Sequence, residues 1–179
     1  MKSLSTLALL AGLTAAAGAL APSAATAQTE VPRVASHQNW SVFETNQGTR
    51  ECWIASAPTE SVARRNGQTV SVRRGTIMMV VSFRPAQGVA NEVSFTGGYP
   101  FRADSRVDVE IQGTTFELFT EGEWAWPATP SVDGDLVAAM RRAGSAEVTG
   151  VSGRGTTTID TISAIGFTAA LNDARNRCS

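Results

Sequence analysis

"RVDVEIQGTTFELFTEGEWAWP", residues 106–127, sets the fold class. Val107, Val109 and Ile111 alternate with Asp108 and Glu110; after Gln112-Gly113, Phe116 and Leu118 alternate with Glu117 and Phe119. A period of two sends successive side chains to opposite faces, so each run reads as a half-buried strand. The segment "EGEWAWP" reads as a turn followed by a further strand, with its tryptophans packing on the core.

The same pattern extends outward in both directions. "WSVFE" (40–44) and "ECWIAS" (51–56) read as a hairpin around the turn cluster "NQGT" (46–49). "TIMMVVSF" (76–83) is nearly all apolar, as expected of a central strand covered on both faces. "NEVSFTG", "AEVTGVS" and "TTTIDTISAI" continue the strand composition. "SVARRNG" (61–67) is ambiguous and is compatible with one helical turn ending at Gly67. The period changes at "SVDGDLVAAMRRAG" (131–144), where Leu136, Val137 and Met140 share a helical face, Ser131 or Asp133 suits the N-cap and Gly144 the C′ position. "FTAALNDARNRC" (167–178) reads as a closing helix. About eight or nine strands that do not alternate with helices predict a mainly β fold. The expected architecture is an antiparallel β-sandwich or partly closed barrel, with one or two short helices near the C-terminal end.

The first residues read as an export signal: Lys2, an apolar run from Leu7 to Leu20, and small residues ending in Ala25–Ala27. Cleavage is expected between Ala27 and Gln28, leaving about 150 residues, enough for one domain with its own core. Residues 28–37 are polar and read as a flexible arm, followed by a single β-rich domain over 38–179. Lys2 is the only lysine among 15 basic residues, so every other cation is arginine, against 16 Asp plus Glu. That balance argues against a nucleic-acid partner and against a polybasic membrane patch. The chain has two cysteines, Cys52 and Cys178, so one pairing is possible, and an oxidising compartment favours a bond over two free buried thiols.

The residues suited to chemistry are few. A serine triad requires a histidine base, and the only histidine, His37, falls in the polar arm. Glu121 and Glu123 lie two apart, next to Trp124 and Trp126, and carboxylates beside aromatics are a feature of glycosidase clefts. Asp133 and Asp135 lack the further oxygen ligands of a calcium loop, and two cysteines with one distant histidine make no zinc site, so neither metal nor cofactor is expected. "GVSGRG" (150–155) has no P-loop Lys-Ser/Thr after it and reads as a tight turn, with Arg154 at its tip either solvated or meeting an anion. The threonines of "GTTTIDT" suit exposed strand faces, and Asp160 is expected to accept backbone or hydroxyl hydrogen bonds where the strand bends.

Four quoted motifs resemble one family: "GYPF" on Gly98–Phe101, "FELFTEGEWAW" on Phe116–Trp126, "LVAAMRRAG" on Leu136–Gly144, and "SGRGTTTIDTISAIGFTA" on Ser152–Ala169. Their order and spacing resemble the invasion-associated locus B family over residues 38–178. One departure is "NWSVFET", which lacks a cysteine that many members carry in the first strand. The resemblance implies an exported, periplasmic or envelope-associated β-rich protein of alphaproteobacteria. It also implies a link to red-cell invasion in pathogenic relatives, and it carries over no catalytic residue.

Three functions follow as expectations. The first is a non-enzymatic envelope module that binds a protein or glycan partner, with Tyr99, Phe101, Trp124 and Trp126 as binding aromatics. The second is a cell-wall or sugar-processing hydrolase using Glu121 and Glu123. The third is a purely structural or chaperone-like role, in which an exposed sheet edge such as Val107–Gln112 accepts a partner strand.

Overall fold

Among the described residues, alternating apolar side chains build twelve strands into a single antiparallel sheet. The computed structural model describes residues 31–45 and 48–179, which leaves the expected signal segment and the Ala27–Gln28 cleavage site outside the described residues. In chain order the strands are β1 (Arg33–His37), β2 (Trp40–Thr45), β3 (Glu51–Ser56), β4 (Glu60–Arg65), β5 (Gln68–Thr69), β6 (Met78–Arg84) and β7 (Val89–Thr96). There follow β8 (Arg106–Ile111), β9 (Thr114–Glu121), β10 (Trp124–Pro127), helix α1 (Pro130–Met140), β11 (Ser145–Val151), β12 (Thr157–Ser163) and helix α2 (Phe167–Arg177). Across the sheet the order is β1-β2-β3-β6-β7-β10-β9-β8-β11-β12-β4-β5. The sheet is not closed: its edges, among the described residues, are β1 and β5.

The expected fold class is therefore the observed one: mainly antiparallel β with two helices, one of them near the C-terminal end. Four local expectations change. Residues 33–37, expected in a flexible arm, form β1, which pairs with β2 from Arg33↔Phe43 to His37↔Trp40. "SVARRNG" is not helical: β4 turns into β5 at Asn66 (φ 50) and Gly67 (φ 76), left-handed positions that a two-residue hairpin requires. Val107–Gln112 is no sheet edge, because β8 lies between β9 and β11. Helix α1 is capped by the Thr129 hydroxyl, which accepts from Val132 N–H, rather than by Ser131 or Asp133, and it ends at Met140, before Gly144.

Curvature brings the two halves of the sheet onto one core. Val42, Ile54, Val81 and Phe95 from one half join Val109, Leu118, Val148 and Ile162 from the other in a single buried cluster. The Trp40 indole N–H on β2 donates to the Ser163 carbonyl at the end of β12 (2.8 Å). Helix α2 buries Phe167, Ala170, Leu171 and Ala174, its i, i+3, i+4, i+7 stripe, and Phe167 meets Trp40 edge-on with centroids 4.9 Å apart. Its end is tied down by the expected disulfide: Cys52 on β3 bonds Cys178, with Cα atoms 5.9 Å apart. Closing a loop across 126 residues is worth about 5 kcal/mol in the chain-entropy model, though bonds of this kind more often measure about 2–4 kcal/mol. Among the described residues, no helix is long and apolar enough to cross a membrane.

Candidate functional site

Strand β10 carries its tryptophans on the face turned away from the core. Ala125 is fully buried, while Trp124 and Trp126 are half-buried on the opposite side. This reverses the expected packing of the tryptophans on the core. The inner face of this region is already filled by Phe95, Leu118 and Leu136, all fully buried, so the small residue of the alternation turns inward and the large ones out. Cross-strand pairing sets Trp126 beside Phe119 and Trp124 beside Glu121. The rings of Phe119, Trp126 and Trp124 stack in sequence, with centroid spacings of 5.7 and 6.4 Å, and Phe119 stays 37% exposed. The result is an aromatic rail on the outer face.

A groove of about 380 Å³ runs beside the rail, lined by Phe119, Trp126, Thr129 and three carboxylates, Glu92, Glu121 and Asp133. Asp133 lies there because β10 ends early. That strand pairs with β7 only at Trp124↔Thr96 and Ala125↔Phe95, and the Val93 N–H beyond donates instead to Asp133 Oδ1 (2.7 Å). Burial pushes the Asp133 carboxyl up; the Val93 bond opposes this and the neighbouring Glu92 charge adds to it. Glu92 is itself paired with Arg84 (2.6 Å).

Tyr99 and Phe101 occupy a different place. Phe101 is 7% exposed and part of the core, and Tyr99 packs edge-on against it at 5.1 Å, so neither belongs to the aromatic face expected of them. Both rings rest on Gly150 of β11, where an added Cβ would come within 2.8 Å of Phe101 and 3.0 Å of the Tyr99 hydroxyl. The Tyr99 hydroxyl shares a 2.6 Å hydrogen bond with Thr158, and burial raises the phenol above its ordinary value. Thr156 and Thr158 are thus buried, not exposed: Thr158 holds Tyr99, and Thr156 accepts two bonds from Arg65 (3.1 and 2.6 Å). Asp160 is fully buried on the same strand face. It accepts the expected hydroxyl bond, from Ser61 (2.6 Å), and a bidentate pair from Arg74 (2.7 and 2.6 Å).

The structure separates the two expected catalytic carboxylates. Glu121 lines the groove beside Trp126, while Glu123, one turn residue later, lines another pocket with Tyr99 and Arg74. His37 is mounted more firmly than its polar surroundings suggest: its Nε2 lies 2.9 Å from Asp173 Oδ2 on α2. Arg177 also bonds Asp173 (2.7 Å) and reaches Glu44 on β2 (3.3 Å), which makes this cluster a tie between α2 and the first strands. No group of metal-ligating side chains assembles among the described residues. No protein-family model, curated protein or solved structure matches the chain. Phe119, Asp133 and Arg74 have the most definite site geometry that sequence reasoning missed. The alternation did place Phe119 on the face opposite Leu118, but nothing local linked Arg74 to a partner 86 positions away.

Proposed function

We propose that this chain is a non-enzymatic binding module of the cell envelope, exported, disulfide-bonded and related to the invasion-associated locus B proteins whose motifs it resembles. The rail Phe119–Trp126–Trp124 carries the reading. Stacked rings offer rigid apolar surface at little entropic cost, and the adjacent Glu92 and Glu121 supply acceptors for hydroxyl groups. That combination suits a saccharide of the envelope. The Cys52–Cys178 bond supports export to an oxidising compartment. A hydrolase built on Glu121 and Glu123 would need both in one cleft, and they line separate pockets.

Titration with soluble cell-wall oligosaccharides, followed by tryptophan fluorescence, tests the reading. The expected result is a saturable change that Trp126→Ala or Phe119→Ala weakens tenfold or more, with no bond cleavage in the recovered saccharide. A flat response across N-acetylglucosamine oligomers and peptidoglycan fragments, or release of new reducing ends, would refute it.

A further inference from the structure

The turn from β11 to β12 and the loop 70–77 flank a pocket of about 540 Å³. Four arginines line it: Arg65, Arg73, Arg74 and Arg154. Arg74 is fully engaged. Its side chain is 8% exposed, it forms the bidentate pair with Asp160, and its Nε donates to the Gly97 carbonyl (2.8 Å). Arg65 spends two donors on the Thr156 hydroxyl, which leaves its charge unmatched. Arg73 and Arg154 have neither a hydrogen-bond nor an ion-pair partner among the described residues. Glu123, the one carboxylate in the lining, is outside ion-pair distance of all of them.

The fold does not explain this concentration of charge. Unpaired arginines in a concave site repel one another and focus a positive field on whatever enters. Three unmatched guanidinium groups against one carboxylate leave a surplus of about two charges, close to the −1.5 to −2 that a phosphomonoester carries at neutral pH. The guanidinium fork matches phosphoryl oxygens in a bidentate fashion. Ser152 adds a hydroxyl whose oxygen already accepts from Thr156 N–H (3.2 Å), so its proton is free to be donated inward. The only ring in the wall, Tyr99, is faced by Arg74 at 5.1 Å and by Phe101, so none remains to stack a nucleobase.

We propose that this pocket binds a phosphorylated saccharide, with Arg65, Arg73 and Arg154 on the phosphoryl oxygens and Glu123 accepting a sugar hydroxyl. The site is independent of the aromatic rail. The ligand is either a soluble sugar phosphate or the phosphorylated sugar headgroup of a lipid, since both present the same chemistry.

Calorimetry with glucose 1-phosphate, inorganic phosphate and glucose tests it, alongside sedimentation with phosphatidylcholine vesicles that carry or lack a phosphorylated glucosamine lipid. Glucose 1-phosphate is expected to bind, inorganic phosphate more weakly, and glucose not at all. The double variant Arg73→Gln/Arg154→Gln is expected to lose tenfold or more in affinity with an unchanged melting temperature, because neither side chain holds the fold. Glu123→Gln is expected to weaken glucose 1-phosphate and spare inorganic phosphate. Binding in solution assigns a soluble ligand, and binding confined to the phosphorylated vesicles assigns the headgroup. Equal binding of glucose and glucose 1-phosphate, wild-type affinity in the double variant, or no binding in either format would overturn the proposal.

Discussion

Asp160 shows how one residue can anchor a whole region. It is fully buried, and its charge is met by Arg74 and the Ser61 hydroxyl. Removing one partner of such a pair leaves the other charge buried and uncompensated, at a cost of about 3–5 kcal/mol. Asp160→Asn is therefore expected to lower stability by that amount in urea unfolding, whereas Asp160→Leu with Arg74→Met recovers most of the loss. Asp133 works in the opposite sense. Burial raises its carboxyl, so the folded state prefers the protonated form, and its contribution to stability is lost as pH rises above the ordinary carboxylate value of about 4. Asp133→Asn keeps an oxygen for Val93 N–H and removes the buried charge. Melting temperatures should place the variant above wild type at neutral pH and level with it in acid.

At the scale of elements, α2 acts as a clamp across β1, β2 and β3. The helix holds them through His37–Asp173, Glu44–Arg177 and Cys52–Cys178 respectively. The Asp173 carboxyl is held below its usual range, chiefly by the His37 hydrogen bond and then by Arg177. A depressed carboxylate stabilises above its unfolded value and loses that contribution as pH falls through its folded one. The clamp should thus loosen below about pH 4, and Asp173→Asn should flatten that part of the stability profile. Reduction of the disulfide is expected to cost about 2–4 kcal/mol, read as a lower urea midpoint with reductant present. Most of these elements were legible in advance because one period, two or 3.6, dominates each of them. β4 was not, because Ala63, Arg64 and Arg65 follow no alternation and its neighbours β12 and β5 come from distant or very short segments. Asn66-Gly67 was the available signal, and it outranks the helical preference of the residues before it. The alternation in "EWAWP" located a strand correctly but could not say which parity faces inward; that depends on Phe95 and Leu118 having already filled the space. The same limit hid the arginine pocket, whose walls come from five separate stretches between residues 65 and 158.

For the molecule as a whole, one continuous core links both halves of the sheet, so unfolding is expected to be a single cooperative event. Near-ultraviolet and far-ultraviolet circular dichroism should then give coincident melting curves; separate midpoints would mean that the β1-β2-β3-β6-β7-β10 half of the sheet melts apart from the β9-β8-β11-β12-β4-β5 half. The chain's single tyrosine, Tyr99, provides an internal reporter of the arginine-lined pocket, and its alkaline absorbance titration should lie above the ordinary phenol value of about 10 while the fold persists. The two rims of the sheet carry a further consequence. β5 is only two residues long, and the β1 ladder is interrupted by an irregularity between Arg33 and Ala35. Among the described residues, neither margin offers the long flat row of amide groups on which another copy could nucleate a fibril. Among the described residues, the sheet therefore presents less edge for stacking than an unblunted sheet of the same width would.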